Sequence, residues 1–422
     1  MSGRGDAAAG GTADPPVIWK RNLSVLVAGQ LLAVSAMGIV LPLIPFFVRD
    51  LGVTDRAAVE RWSGLIFSGP FLAAALLAPV WGNLGDRYGH RKMVIRAIVG
   101  LAVVNLALVF VKTPLQFFLL RFFQGAITGF IPAALSITSA STPPDKLPGA
   151  MARLTASASA GRLIGPAVGG LLAGFLTFQQ LFLTVGIVIS VAAVVVSALL
   201  KEPPIPRVER PLSAAGNLKW AFRDPRLRLA LPGLLLAMVG ISMVMPIFPL
   251  YVEDLLGGRG DAKVITGIGF AVVAGATLIQ SSGIGWLAGR IGLKVVLVTS
   301  LALAALSLWL HVAVRGVGSM LAVRALLGVA AAGIAPVLHT MVSRATPDGM
   351  RGGMAGYASA ATILGFFFGP FLGGWLASHV GVDGVFRIAA AVTAACAVGA
   401  AIIARRVGGD RRLVPLAEEI PR

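Results

Sequence analysis

The sequence predicts an all-α membrane protein with twelve transmembrane helices arranged in two pseudo-symmetric six-helix bundles. First, 57% of its 422 residues are hydrophobic and only 13% are charged, with a mean hydropathy of +0.86, which lies outside the range of soluble domains. Second, the apolar residues form long runs, each near the roughly 20 residues that a helix needs to cross about 30 Å of hydrocarbon. Third, the second half of the chain repeats motifs of the first.

The apolar runs define twelve predicted spans when each run is interpreted in the same way. In chain order they cover residues 22–48, 63–82, 93–112, 114–141, 149–176, 178–200, 227–252, 264–288, 294–313, 317–343, 352–378 and 382–404. The predicted domains are a tail (1–21), a six-helix bundle (22–200), a linker (201–226), a second six-helix bundle (227–404) and a tail (405–422). Residues 33–36, AVSA, imitate a signal-peptide cleavage site, but the run continues apolar to Val48, which favours an uncleaved first span.

The formal net charge of +18 is distributed by membrane side rather than collected in one basic patch. If both termini are cytoplasmic, Lys and Arg are roughly threefold more numerous near the cytoplasmic side than near the outer side, as the positive-inside rule predicts. The charge therefore indicates a topology with cytoplasmic tails and linker, and no nucleic-acid partner is expected. The single cysteine, Cys396, excludes a disulfide within the chain.

Four blocks of the first half recur in the second half with an offset of 203 or 204 residues. In GIVLPLIPFFVRD (38–50), Pro42, Pro45 and Asp50 match Pro246, Pro249 and Asp254 of GISMVMPIFPLYVED (240–254), each 204 residues apart. GNLGDRYG (82–89) matches GWLAGRIG (285–292). RFFQG (121–125) matches RALLG (324–328), and GRLIGPAVGG (161–170) matches GFFFGPFLGG (365–374). A constant register over four blocks indicates a duplicated helix bundle, an arrangement typical of transporters.

These motifs, in this order, resemble those of the major facilitator superfamily, and specifically its twelve-span drug:proton antiporter family. The stretch WKRNLSVLVAGQLL, followed by LGVT and RWSGLIFS, further resembles a multidrug-resistance efflux branch. The resemblance covers the chain except its tails. It implies the major facilitator fold, small-molecule substrates, proton-coupled export by alternating access, no cofactor, a monomer, and a multi-pass location in the bacterial cytoplasmic (inner) membrane.

The second block, extended to residue 92, resembles the superfamily's gating motif, whose matching residues are Gly82, Asp86, Arg87, Gly89, Arg91 and Lys92. Gly82 and Gly89 are expected to permit a tight reversal between two spans. The resemblance implies that the Asp86 carboxylate lies near a helix N-terminus of the other half when the cytoplasmic side is closed. The alternative is a solvated basic turn. The second-half copy has Gly289 in place of Asp86.

The third block places Arg121 about 12 Å below the start of its span, at about 1.5 Å per residue, with Gln124 beside it and Arg324 as its copy. A charge at that depth is costly unless it faces a polar cavity or a partner. The resemblance associates this arginine with proton coupling. The alternative is a structural arginine that donates hydrogen bonds to backbone carbonyls.

The fourth block resembles the family's antiporter motif, and the resemblance implies that it keeps the central pathway sealed. Its residues are Gly161, Gly165, Pro166, Gly169 and Gly170, with second-half copies Gly365, Gly369, Pro370, Gly373 and Gly374. Glycines at every fourth position line one helix face and predict the close approach of another helix. The first block adds Pro42 and Pro45, with Pro246 and Pro249 as their copies. These prolines predict spans 1 and 7 as cavity-lining helices, because the carbonyls that they free need packing or cavity water.

The predicted spans carry arginines at mid-depth but no carboxylates. Arg121, Arg162 and Arg324 lie near the middle of their spans, whereas Asp50, Glu253 and Asp254 lie at the outer ends of theirs. We therefore expect a positive cavity that favours anionic or zwitterionic amphiphiles, with Arg162 attracting the anionic group. The alternative for Arg162 is snorkelling or binding to carbonyl oxygens.

Two other functions stay open at the level of the sequence. One is a dedicated exporter or importer of a single endogenous metabolite, since fold and motifs do not fix a substrate. The other is a non-transporting membrane receptor or assembly protein. A phosphate-binding GxxxxGK[ST] loop does not occur in the sequence, and its four His and one Cys suggest no metal site or catalytic triad. We therefore predict that the protein is not an enzyme.

Overall fold

The computed structural model describes residues 15–127, 129–202, 225–347 and 350–406. Within these ranges every regular element is a helix. Spans 1 to 6 consist of Pro15–Ile39 with Ile44–Asp50, Arg56–Tyr88, His90–Leu108, Pro114–Ile127 with Phe130–Ser141, Leu147–Leu172, and Phe178–Leu199. Spans 7 to 10 consist of Pro225–Ser242 with Phe248–Leu256, Ala262–Ile291, Leu293–Leu310, and Val317–Ala332 with Ile334–Ala345. Spans 11 and 12 form Arg351–Arg406, which bends at Gly381, where φ is 71°.

Eight stretches of the described residues are long and apolar enough to cross a membrane. They contain nine of the twelve spans, because Gly353–Ile402 holds spans 11 and 12 together. Each of the other three spans has a local feature that lowers its hydropathy or shortens its helix. Span 3 begins with basic residues, span 5 is rich in Gly and Ser and carries two arginines, and span 7 is interrupted after Ser242.

Each half contains six spans, so its first and last helix ends lie on the same side. We call this side the linker end, because it holds residues 15, 199, 225 and 406. The opposite side is called the ion-pair end, for the ion pairs near residues 49 and 253. The predicted tails and linker lie mostly outside the described residues. Helix 1 begins at Pro15, before the boundary at residue 22 that hydropathy predicts.

Aromatic residues related by the repeat hold the ion-pair end of each half. In the first half, Phe47 packs against Phe182 with ring centroids 5.3 Å apart. Their equivalents Tyr251 and Phe386 lie 5.0 Å apart in the second half. Such pairs prefer offset or edge-to-face contacts and bury large apolar areas. The two halves are therefore built around the same aromatic contact.

The four prolines of spans 1 and 7 lie in or directly after the breaks in their helices. Pro45 and Pro249 lie in the first turns of the short helices that follow each break, where a missing N–H costs no helical hydrogen bond. Pro42 and Pro246 lie within the breaks, and all four prolines are buried. Packed side chains therefore surround the prolines themselves, and the cavity-lining role of spans 1 and 7 stays a prediction.

Span 4 is interrupted between Ile127 and Phe130, and two side chains bind the carbonyls at this break. The Trp81 indole N–H donates to the carbonyl of Ala126 at 2.6 Å. Arg96 donates to the carbonyl of Ile127 at 3.3 Å and stacks on Trp81, with its Cζ 3.4 Å from a ring centroid. These hydrogen bonds satisfy carbonyl oxygens that no longer have a helical N–H partner.

Candidate functional site

Ion pairs join the two halves at the ion-pair end. Arg49 of span 1 donates to both carboxylate oxygens of Glu253 of span 7, at 2.6 and 2.7 Å. Arg56, in the first turn of span 2, binds Asp254 through two nitrogens. Arg56 also reaches Glu60 at 3.3 Å, which is only 3% exposed. The halves are therefore closed against each other at this end.

Two glycine crossings join the halves beneath these ion pairs. In the first, a Cβ atom at Gly267 of span 8 would lie 2.8 Å from the Cα of Gly170 of span 5. In the second, a Cβ atom at Gly64 of span 2 would lie 2.9 Å from the Cα of Gly374 of span 11. Gly64 and Gly267 are equivalent positions of the repeat, as are Gly170 and Gly374. The same contact therefore occurs twice, with the roles of the halves exchanged.

The first antiporter motif divides its glycines between two neighbours. Gly161, Gly165 and Gly169 pack on span 1, where added Cβ atoms would meet Val34, the carbonyl oxygen of Ser35 and the backbone of Ile39. Gly170 turns to span 8, and the carbonyl oxygen of Pro166 also faces Gly267. The motif thus packs span 5 within its own half and against the other half.

The second-half copy divides in the same way. Gly365, Gly369 and Gly373 pack on span 7, against the backbone of Leu235, Val239 and Met243. Gly374 packs on span 2, and the carbonyl oxygen of Pro370 would lie 2.7 Å from a Cβ atom at Gly64. The sequence predicted the close approach of another helix for both motifs. The glycine periodicity alone did not predict that some of these contacts join the two halves.

Arg162 points into the space between spans 1 and 8. Its neighbour Gly161 touches span 1, and its other neighbour, Leu163, reaches span 8, with its Cδ1 3.6 Å from where a Cβ atom of Gly275 would lie. Successive residues are about 100° apart around a helix, so Arg162 leaves span 5 between these two contacts. Its side chain is exposed, and in the part of the chain that the structure describes it has no hydrogen-bond or ion-pair partner.

Phe366 occupies the equivalent position in span 11, directly after Gly365. Its ring stacks on Phe71 of span 2, with centroids 5.4 Å apart and an interplanar angle of 22°. Phe71 in turn lies 6.4 Å from Phe67. An aromatic stack therefore joins the halves between spans 2 and 11. At the equivalent position of span 5 the chain has the exposed Arg162.

Arg121 is 2% exposed and donates through Nη1 to the side-chain oxygen of Gln124, one turn further along span 4. Its Nε finds no partner among the described residues. The two polar residues predicted for span 4 are therefore together, and Arg121 is a buried cation with a neutral partner.

Arg324, the copy of Arg121, has different surroundings. Its Nε donates to the carbonyl of Gly269 at 3.2 Å, and its Cζ lies 3.7 Å from the ring centroid of Phe248 and 5.3 Å from that of Phe270. Arg324 is 3% exposed. A guanidinium held between aromatic faces and a carbonyl fits the structural alternative that the sequence left open for these arginines.

The gating motif is mostly helical. Span 2 continues to Tyr88, so Gly82 lies inside the helix and the expectation that it forms the reversal is wrong. The turn needs only Gly89, where φ is 95°, a value that favours glycine. Asp86 lies in the helix, but its side chain is outside the described residues. Arg87 is exposed and stacks on Tyr88, and Lys92 is also exposed.

Two charged residues link the start of span 3 to the end of span 6. The guanidinium of Arg91 donates to the carbonyls of Ser197 and Leu200, at 2.7 and 2.6 Å. In the opposite direction, the Glu202 carboxylate accepts from the backbone N–H groups of His90 and Arg91, at 2.9 and 2.8 Å. A cation thus lies at a helix C-terminus and an anion at a helix N-terminus, which both helix dipoles favour.

The geometry agrees with comparisons to known proteins. Residues 26–284 and 230–420 each match the Major Facilitator Superfamily. The chain is 31% identical over 398 residues to the multidrug resistance protein MdtG of Enterobacter lignolyticus, which covers 94% of this chain and 95% of that relative. It is also 31% identical over 400 residues to MdtG of Klebsiella pneumoniae, covering 94% and 97%. The chain belongs to the major facilitator superfamily.

A solved structure shows the same superfamily fold. The nucleoside transporter NupG aligns with a TM-score of 0.74 over 90% of this chain and 98% of its own, at 14% identity. At this identity the likeness concerns the fold alone. The predicted twelve-helix fold of two six-helix bundles is confirmed, and so is the prediction of a transporter rather than an enzyme. The protein is a multi-pass inner-membrane transporter of small molecules.

Several residues of this superfamily member were not predicted as site residues. Gly64 and Gly267 lie outside the two antiporter motifs, and Phe71 and Phe366 resemble ordinary lipid-facing aromatics in sequence. Glu60 was placed before span 2, whereas the structure buries it in the first turns of that helix. One signal was available: the first block already pairs Arg49 with Glu253, and extending the repeat beyond the four blocks pairs Gly64 with Gly267.

Proposed function

We propose that this chain is a proton-coupled multidrug exporter that works by alternating access and favours anionic or zwitterionic amphiphiles. In this proposal the linker end faces the cytoplasm, so that both termini are cytoplasmic, and one chain transports without a partner subunit. The similarity to proteins named for multidrug resistance supports efflux of several compounds. The preference for anionic or zwitterionic compounds is inferred from Arg162 and its surroundings.

The observation that carries the charge preference is Arg162 between spans 1 and 8, which is exposed and has no partner among the described residues. An arginine at this depth is costly unless it meets water or an anion. Among the described residues, every Asp and Glu lies in a loop or near the end of a span. Neutralisation at the level of Arg162 therefore falls to a ligand, and an anionic group is the matching one.

The closed ion-pair end supports one stage of the transport cycle. With that end outside, the ion pairs and glycine crossings close the outer side, and substrate enters from the cytoplasm. Opening to the outside then requires the ion pairs of Arg49 and Arg56 to break and the helices at both glycine crossings to separate. We assign Asp86 and the rest of the gating motif to the opposite closure, at the linker end, and proton coupling to Arg121 and Gln124.

Transport into proteoliposomes with an imposed pH gradient tests the proposal. We expect uptake of several chemically unrelated amphiphiles, abolished by an uncoupler, with anions favoured over cations of the same size. Arg162→Gln should reduce transport of anions and spare neutral compounds. Transport of one metabolite only would instead identify a dedicated carrier, and no transport of any compound would contradict the proposal.

A further inference from the structure

Two clefts of the molecule are related by the repeat but are filled differently. We call the first the Arg162 cleft, lined by Arg162 and Leu163 of span 5 and by Ala274 and Gly275 of span 8. The second, the aromatic cleft, lies between Phe71 of span 2 and Phe366 of span 11. Each cleft lies on the linker side of one glycine crossing and between the two halves.

The helix register places corresponding residues at the same depth in both clefts. From the crossing at Gly170 and Gly267, the chain runs back eight residues to Arg162 and forward seven to Ala274. At about 1.5 Å per residue, both lie roughly 11–12 Å below the crossing. From Gly374 and Gly64, the same steps lead to Phe366 and Phe71. The Leu163–Gly275 contact and the Phe71–Phe366 stack confirm that these levels meet across each cleft.

The side chains at this level differ sharply between the clefts. In the aromatic cleft, two stacked rings occupy the space between the helices. In the Arg162 cleft, the equivalent of Phe71 is Ala274, two helical turns from Gly267 and so on nearly the same face of span 8. An alanine methyl group fills far less of the cleft than a phenyl ring, and Arg162, at the same level of span 5, is exposed.

We propose that the Arg162 cleft is the substrate pocket of this transporter, holding an organic anion whose acidic group pairs with Arg162 and whose ring lies against Ala274. The proposal rests on the proposed export of anionic amphiphiles and adds the place and the second contact. Binding is then one-sided: the aromatic cleft is closed by its own two rings, and the Arg162 cleft receives the ligand's ring in place of the missing one.

The chemical class follows from the lining. A planar guanidinium pairs best with a carboxylate, phosphonate or sulfonate. Leu163, Ala274 and Gly275 offer apolar surface without a hydrogen-bonding side chain, so the rest of the ligand should be apolar. A small aromatic acid meets both requirements, whereas a lipophilic cation meets the apolar one alone.

A matched pair of probes separates the two contacts. We would measure equilibrium binding of 2-naphthalenesulfonate and of the uncharged 2-naphthalenesulfonamide to the full chain in nanodiscs. Arg162→Gln should weaken sulfonate binding at least about tenfold, the range of a charge-assisted hydrogen bond, and leave the sulfonamide unchanged. Arg162→Lys should recover part of the loss. Ala274→Phe, which copies Phe71 into the Arg162 cleft, should weaken both probes at least tenfold.

Phe71→Ala is the control, because it empties the aromatic cleft without supplying a cation. We expect both probes to bind this variant within about twofold of the wild-type affinity. Size-exclusion profiles and thermal unfolding show whether each variant is folded, and Ala274→Leu takes the place of Ala274→Phe if the larger ring prevents folding.

Any of the following results would overturn the assignment: a folded Ala274 variant that binds both probes normally, an Arg162→Gln protein that still prefers the sulfonate, or a wild-type protein that binds neither probe. A Phe71→Ala protein as impaired as the Ala274 variant would also do so. These measurements need no pH gradient. Failure of the proposed export would appear in the vesicle assay alone, so the two failures are distinguishable.

Discussion

Arg49 and Glu253 occupy the same position in the two halves, 204 residues apart, and form an ion pair with each other. The duplicated position therefore carries opposite charges, and the pseudo-twofold arrangement brings its two copies into contact. Both side chains are about one-third exposed, so water screens the pair and its contribution is roughly 0.2–1 kcal/mol. The pair thus biases the closed state of the ion-pair end without locking it.

Reversing one charge of this pair should favour opening of the ion-pair end. Arg49→Glu places two carboxylates together, and we expect a population shift of up to about fivefold, matching the modest energy of a partly exposed pair. The fully buried Ser63, changed to cysteine in a Cys396→Ala background, reports opening through its rate of labelling by an impermeant maleimide. Adding Glu253→Arg should restore the slow rate, and equal rates in the single and double variants would contradict the interpretation.

The glycine crossing between spans 5 and 8 should tolerate no side chain. Alanine is favoured over glycine inside a helix by about 1 kcal/mol, so Gly267→Ala would stabilise span 8 if the crossing were loose. The Cβ atom would instead lie 2.8 Å from both the Cα of Gly170 and the carbonyl oxygen of Pro166. We expect transport to fall at least tenfold with faster labelling at position 63. Gly283→Ala, on the same helix with nothing within 4 Å, should behave as wild type.

Glu202 should stabilise the first turn of span 3 as a helix cap. Its carboxylate accepts the N–H groups of His90 and Arg91, and loss of a helix cap typically costs about 1 kcal/mol. Glu202→Ala should therefore lower the unfolding temperature of the purified protein by a few degrees, and Glu202→Asp should lower it less. An unchanged unfolding temperature in the alanine variant would mean that water replaces the cap at no cost.

The two buried arginines should respond differently to lysine. Arg324 needs a planar cation, since it stacks on Phe248 and binds the carbonyl of Gly269, so Arg324→Lys should destabilise the fold nearly as much as Arg324→Gln. Among the described residues, Arg121 has a single side-chain partner, Gln124, which a lysine ammonium can also reach. Arg121→Lys should retain stability. Thermal unfolding of the four variants, with Arg121→Gln as the fourth, checks the contrast, and equal effects of lysine at both sites would refute it.

The amino-acid sequence determined the class, the repeat and most of the helices of this transporter. The bilayer thickness sets the length and hydropathy that each span needs, and it acts on each segment separately. Each span can therefore be predicted from its own residues. The glycine periodicity of span 5 likewise predicted a close helix contact, because a helix places every fourth residue on one face. Gly89 was likewise predicted from a local property, the backbone freedom that a tight turn requires. The length of span 2 was not predicted, since nothing in residues 82–88 forces a turn there.

The tertiary structure alone decided which residues meet across the two halves. The sequence contained Arg49, Glu253, Gly64 and Gly267, but a contact between residues some 200 positions apart depends on how two finished bundles dock, and local patterns carry no signal for docking. The surroundings of the buried arginines were decided in the same way: Arg121 and Arg324 are copies in sequence, yet one binds a glutamine and the other lies between aromatic rings. Depth in the membrane could be counted along the chain, whereas partners depend on the neighbouring helices, and those differ between the two halves.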